Sequence, residues 1–465
     1  MFQFYKDSLS NQNITILITE LLSEKDYDEQ ELNDHFHKCF FFLYHLDKNS
    51  MYNEEIPVYE EISKILSWYA DLDFTDIHHL NLFSIFYNFI CFEGPDNYDK
   101  STEIIIRIII LMFIKCGQNF AEGFSSSLLC RLFIEHINMN VLNLFSLIIG
   151  TSNKINKDLT DIGLITKLID LNTIPNVDTQ IFRKTKFLIY SNYALKCDMS
   201  DFVDCQKIVD ECYNEMQNEN DEECYCYQIT CILRAVKRSI SIMKNLVQKK
   251  VISYITLILS SDNKERIRQC LLLLEILTSN ANEIDEQLSS ELSLSHLLQQ
   301  LLNFDENGLK AINCVINLMN YDIFSIEQYI SNQFPQILNN IFVNGPYEMK
   351  EAAIECINNM IYLLSFKRND KYRFSSVFSD EIISNIILSI TDFSFDENII
   401  KKEDFINECL IILKTALTED KFYNIDEVCS FLDNLYHEVN NEQIALKCKD
   451  ILMSIEEKIN KARNE

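Results

Sequence analysis

Two sets of side chains have the types that could gather a metal ion. Cys212, Cys224, Cys226 and Cys231 lie close together in the chain, and His35, His37 and Cys39 alternate. Thiolates and imidazoles are zinc ligands, but zinc needs them to converge, ordinarily paired across a turn. On a helix, Cys224 and Cys226 would point about 200° apart. No pair among the 16 cysteines has CxxC spacing. The expected role is therefore a buried thiol, which packs as a small hydrophobe, and no metal or cofactor is expected. Phosphate chemistry is excluded more firmly. The glycines are Gly94, Gly117, Gly123, Gly150, Gly163, Gly308 and Gly345, no two closer than six residues. Neither GxGxxG nor GxxxxGK[ST] can be written, and those loops need glycine so that backbone can approach phosphate. Serines, histidines and carboxylates are present, but no known catalytic spacing appears, so an enzyme is not expected.

The composition says which elements carry these residues. The chain has 465 residues, 47% of them hydrophobic, with only 7 glycines and 5 prolines. Sheets joined by tight turns need more of both, so the chain reads as helical nearly throughout. The most apolar stretch, Ile104 to Ile114, is broken by Arg107 and is too short to cross a bilayer. The start, Met1-Phe-Gln-Phe-Tyr-Lys-Asp, lacks a basic segment followed by an apolar one, as a secretory signal would have. Cytoplasm or nucleus is the expected compartment.

Self-comparison gives the architecture. A pattern of two apolar residues, two spacers and two more apolar residues begins at Leu164, Ile208, Val251, Leu297, Ile337, Ile382 and Phe431. The steps are 44, 43, 46, 40, 45 and 49, a period expected of armadillo or HEAT repeats. Leu17-Ile18 and Ile62 to Leu66 start similar segments, while residues 98–150 hold helices without a clear register. In one repeat Met349, Ala352, Ala353, Cys356, Ile357, Met360 and Leu364 fall on one helical stripe. Gly345 is expected to end the preceding helix in the left-handed conformation, with Pro346 opening the next. Helices are predicted over 183–193 and 265–277, with a short first helix over 323–333. Three helices per repeat favour armadillo over HEAT. The expected fold is an all-α, armadillo-type α-solenoid, a right-handed superhelix of nine or ten three-helix repeats. Degenerate repeats over 1–160 run on into regular ones over 161–465.

The segment Lys350-Glu-Ala-Ala-Ile-Glu-Cys-Ile-Asn-Asn359 resembles the third helix of an importin-alpha (karyopherin alpha) repeat. In that family a Trp and, four residues later, an Asn line the groove for a nuclear localisation signal. The rings hold lysine stems, the Asn amides hold the peptide backbone, and nearby acids meet the charges. The resemblance implies that Asn358 stands in the Asn position, with Glu351 and Glu355 beside it, and that Ile354 occupies the Trp position. Similar alignments set Asn317 after Asn313, Asn192 after Leu188 and Asn88 after Ser84. The single tryptophan, Trp68, is followed by Leu72 and lies outside any such helix, so the aromatic slots are missing. The family's basic amino-terminal segment has no counterpart in the first 35 residues, which are more acidic than basic.

Charge bears on the partner. Lys+Arg number 41 against 70 Asp+Glu, a net charge of −29, which suits neither nucleic acid nor an anionic membrane surface. Residues 201–225 hold Asp201, Asp204, Asp210, Glu211, Glu215, Glu219, Asp221, Glu222 and Glu223 against Lys207 alone. This segment is either a solvated helix face or a docking surface for a basic protein or peptide. Basic clusters at 234–238 and 367–371 are short. The functional expectation is a non-enzymatic protein-binding scaffold, with an importin-alpha-like adaptor for basic cargo as its sharpest form. The alternative is a regulatory or assembly subunit whose solenoid holds a folded partner.

Overall fold

The computed structural model describes residues 29–49, 52, 55–68, 81–93, 98–175, 177–196, 202–366, 377–379, 381–386, 399–418, 425–438 and 441–464. The Leu17-Ile18 segment, Leu72, Asp201 and the cluster at 367–371 lie outside them. Helices make up nearly all of the described residues and no strand occurs among them. The chain divides into two compact units, one ending at Ser239 and the other beginning at Ile240.

The first unit contains α1 (Glu29–Lys48), α2 (Glu55–Trp68), α3 (Leu82–Glu93), α4 (Tyr98–Cys116), α5 (Gln118–Ser125) and α6 (Leu128–Glu135). It continues with α7 (Met139–Ile148), α8 (Asn153–Asp161), α9 (Leu164–Asp170), α10 (Thr179–Lys196), α11 (Phe202–Met216) and α12 (Glu222–Val236). The second unit contains α13 (Ile240–Gln248), α14 (Val251–Leu259), α15 (Lys264–Thr278), α16 (Asp285–Glu291), α17 (Leu294–Gln300) and α18 (Glu306–Asn320). It ends with α19 (Ile326–Ser331), α20 (Phe334–Asn344), α21 (Tyr347–Phe366), α22 (Ile399–Thr418), α23 (Ile425–Glu438) and α24 (Glu442–Asn464).

In place of glycine, short polar side chains punctuate the chain. Ser127, Asn138, Ser152, Asp221 and Asn263 each accept a hydrogen bond from the backbone N–H three residues on, at 2.9–3.2 Å. Each satisfies a donor that the new helix cannot. The expected left-handed cap at Gly345 is not found. Its φ is −78° and ψ 156°, so the backbone there is extended. Glycine is required by space instead, because an added Cβ would lie 2.6 Å from the Ile341 carbonyl oxygen. Pro346 precedes α21, which starts at Tyr347.

In each unit the long helices stack on one another. The first unit packs α2 on α4, α4 on α7, α7 on α10 and α10 on α12; the second packs α15 on α18, α18 on α21, α21 on α22 and α22 on α24. Successive starts in the first unit are 55, 98, 139, 179 and 222, so its steps are 43, 41, 40 and 43. The second unit starts its long helices at 264, 306, 347, 399 and 442. The apolar stripe of α21 is the seam: Met349, Ala353, Cys356, Ile357 and Met360 are wholly buried. Neither α18 nor α21 can bury such a stripe alone, so stability comes from the contacts between neighbours.

One buried acid makes the first unit pH-sensitive. Glu55, the first residue of α2, is 0% exposed. One of its oxygens accepts from Tyr59 Oη at 2.7 Å, and the other has no partner. Burial pushes this carboxyl up to about 8; the Tyr59 hydrogen bond lowers it and the Asp47 charge adds to the rise. A carboxyl raised on folding contributes stability that is full below its ordinary range and lost as pH rises through the folded value. Between pH 5 and 9 the first unit should therefore lose on the order of a few kcal/mol. Glu55→Gln should flatten that slope in urea titrations followed by circular dichroism.

Candidate functional site

Six acids of the segment 201–225 form ion pairs within the first unit. Arg183 on α10 reaches Glu215 at 2.9 Å and Glu219 at 2.7 Å. Lys184 reaches Asp221 and Glu223, each at 3.0 Å. Lys186, only 3% exposed, pairs with Glu211 at 2.7 Å and donates to the Leu171 carbonyl at 3.0 Å. Its ammonium also sits over the Phe182 and Tyr190 rings, 5.9 and 5.7 Å from their centroids. Asp204 pairs with Lys207 at 3.6 Å, and Asp210 accepts from Gln206 at 2.8 Å. Burial raises the Glu219 carboxyl, but the Asp221 backbone N–H, Cys224, Arg183 and Gln228 outweigh it and hold the group below its ordinary range. Five of these acids, Glu211, Glu215, Glu219, Asp221 and Glu223, thus tie α11 and α12 to α10.

The basic cluster at 234–238 has the same kind of task. Arg234 donates to the Ser191 carbonyl at 2.6 Å and to its hydroxyl at 2.9 Å, and Arg238 donates to the Leu195 carbonyl. Arg238 satisfies a carbonyl in the last turn of α10, which that helix leaves open, and Arg234 adds a second hydrogen bond one turn earlier. Tyr321 does the same for Ser279 at 3.4 Å, and Lys458 caps Leu417. A helix end is capped by the repeat that follows it.

The cysteines and histidines occupy separate places. Cys212, Cys224 and Cys231 are buried on α11 and α12, and Cys226 is half-buried. His35 is buried and faces Glu61 at 3.3 Å, beside buried Cys39. Among the described residues no three His, Cys, Asp or Glu side chains converge as metal ligands would.

The asparagines divide into two kinds. Asn192 donates to the Ser146 carbonyl at 3.0 Å and accepts from Arg234 at 3.5 Å. Asn317 donates to Thr278 Oγ1 at 3.3 Å, Asn313 to Glu275 at 3.4 Å, and Asn88 to Asp47 at 2.9 Å. Asn192, Asn313 and Asn317 tie one long helix to the one before it, and Asn88 ties α3 to α1. On α21 the amides are not so engaged: Asn358 Oδ1 and Asn359 Nδ2 are buried without a partner. The segments Ala311-Ile-Asn-Cys-Val315 and Ala353-Ile-Glu-Cys-Ile357 match at a step of 42. That register pairs Asn317 with Asn359 and sets Asn358 opposite Ile316, so Asn317 and Asn358 do not share a row.

Ile354, read against the family's Trp, is 0% exposed. It belongs to the core and cannot line a groove, so its placement as a contact residue is corrected. Glu351 and Glu355 share the opposite stripe with Asn358 and Tyr362, and both acids are exposed. Neither forms an ion pair among the described residues. Burial, with the Glu351 charge behind it, raises the Glu355 carboxyl above its ordinary range. The outward face of α21 thus carries two acids without a cation among the described residues, and the unpartnered Asn358 Oδ1 and Asn359 Nδ2 lie buried at its edge. Asn359 and Tyr362 were missed by the sequence reading. The Ala-Ile-x-Cys match at a step of 42 would have found Asn359.

No protein-family model matches this chain, and no curated protein matches it in sequence. Solved structures do match in fold. An engineered protein from the Northeast Structural Genomics Consortium aligns with TM-score 0.59 at 12% identity, covering 96% of this chain and 99% of that one. A structure reported for a phosphorylation switch controlling the interaction between cadherin and beta-catenin aligns with TM-score 0.55 at 11% identity, covering 96% and 91%. A designed armadillo repeat protein covers 50% of this chain and 98% of its own, with TM-score 0.41 at 14% identity. The fold is an all-α, armadillo-type solenoid.

Proposed function

We propose that the chain is a protein-binding scaffold whose second unit holds an extended basic segment of a partner against α21. One observation carries this reading. Five acids of 201–225 are engaged by Arg183, Lys184 and Lys186, whereas Glu351 and Glu355 have no cation among the described residues and stand beside two amides that each hold one unpartnered atom. A peptide backbone supplies both the donor and the acceptor that Asn358 and Asn359 lack after a small side-chain rotation, and a Lys or Arg supplies the charge. The sharpest form is an importin-alpha-like adaptor for nuclear localisation signals, passing between cytoplasm and nucleus. Buried Ile354 in the Trp position makes the grip weaker than aromatic slots would, since cation–π contacts are absent.

A second reading, a subunit that holds a folded partner, is favoured by Asn192 and Asn317, whose amides serve stacking and leave fewer groups for a peptide backbone.

The first reading is tested by titrating a fluorescent lysine-rich peptide against the full chain at low and high salt. Glu351→Gln with Glu355→Gln should weaken binding about tenfold at low salt, roughly 1.4 kcal/mol. The difference should shrink at high salt as charges are screened. Asn358→Ala should weaken binding at both salts. A peptide that binds the charge-neutralised variant as tightly as wild type, or that does not bind at all, would leave only the second reading.

A further inference from the structure

Two exposed apolar side chains adjoin the acidic pair. Tyr362, two turns beyond Glu355 on α21, is 58% exposed, and Ile411 on α22 is 47% exposed. The two helices pack against each other. They register through Glu355-Cys356 and Glu408-Cys409, whose cysteines are both wholly buried, and this sets Ile411 in the row of Asn358. The row that carries an amide on α21 thus carries a branched apolar group on α22. Single exposed apolar residues are ordinary. These two lie on the helix faces that also carry Glu351, Glu355 and Asn358.

Resting on the reading above, we infer that this face selects a peptide of mixed character. A cationic residue sits over Glu351 and Glu355, and a bulky apolar residue sits against Tyr362 and Ile411. The spacing follows from geometry. Seven helical residues span about 10 Å, and packed helix axes lie about 8–10 Å apart. An extended peptide advances about 3.3 Å per residue, so the apolar residue lies about three positions from the cation. The two contacts respond differently to salt: charge attraction is screened, whereas apolar burial is not.

Fluorescence anisotropy with the full chain tests this, using labelled peptides that carry Lys-Arg-Lys and, three residues away on either side, Leu or Gly. The Leu peptide in one orientation should bind about tenfold tighter than the Gly peptide, and the preference should persist at high salt. Ile411→Ser and Tyr362→Ser should each remove most of that preference without altering the affinity for the Gly peptide. Ile411→Thr, which keeps a branched side chain in the helix, guards against a folding defect and should reduce the preference too. Equal binding of Leu and Gly peptides to wild type, or a preference that survives both serine variants, overturns the inference and leaves the basic-face reading standing. If no basic peptide binds wild type at low salt, that reading fails as well.

Discussion

Gly150→Ala is expected to destabilise the first unit by roughly 2–5 kcal/mol. Gly150 has φ +81°, and a Cβ there would stand 2.4 Å from the Asn192 carbonyl oxygen and 3.0 Å from its carbon. The obstacle is backbone of α10, which cannot rotate away as a side chain can. The site also braces α7 and α8 against α10. Gly150 N–H donates to Asn156 Oδ1 at 2.7 Å, and Asn156 Nδ2 donates to the Tyr193 carbonyl at 3.1 Å. Gly163 is a built-in control, with φ +87° but nothing within 4 Å of its would-be Cβ. Gly163→Ala should cost only the left-handed strain, about 1–2 kcal/mol. Denaturant titrations of both variants measure the gap. Equal losses would mean that α7 and α10 do not approach so closely.

Glu211→Ala is expected to cost about 3–5 kcal/mol, because removing one partner strands a buried charge. Lys186 would keep only the Leu171 carbonyl and two aromatic faces, and Tyr190 Oη would lose its acceptor at 2.9 Å. Solvent reaches Glu211, whose side chain is 25% exposed, so Lys186→Met should cost less than Glu211→Ala. The double change Lys186→Met with Glu211→Leu should recover most of the loss, since apolar pairs often replace buried ion pairs at little cost. A double variant as unstable as Glu211→Ala would assign the loss to packing instead.

The repeat step was legible because the apolar pairs at Leu164, Ile208, Val251, Leu297 and Ile337 recur at near-constant spacing. The same step continues through α2, α4 and α7, but it is masked there by a different core. Phe36, Phe40, Tyr59, Phe86, Phe89, Phe124 and Phe133 fill that region, so its buried stripes carry rings where α21 carries small residues such as Ala353 and Cys356. Charge pairing could not be read along the chain. Arg183, Lys184 and Lys186 lie in another helix from the five acids they meet, so those pairs are visible only in three dimensions. The α21 face was half legible. Glu351, Glu355 and Asn358 follow from helical periodicity, but the burial of Ile354 depends on what α18 and α22 place against it. Gly345 illustrates the same limit: its need is set by the Ile341 carbonyl and not by its own dihedrals.

The central claim is that the uncompensated face of α21, and not the acid-rich segment 201–225, receives a basic partner segment. Hydrogen exchange followed by mass spectrometry, on the full chain with and without a saturating lysine-rich peptide at low salt, tests it most directly. Slowed exchange is expected in peptides from α21 and α22, with residues 202–236 unchanged, because five acids there already face Arg183, Lys184 and Lys186. Slowed exchange confined to residues 202–236, or no slowing anywhere while the peptide is bound, would contradict it.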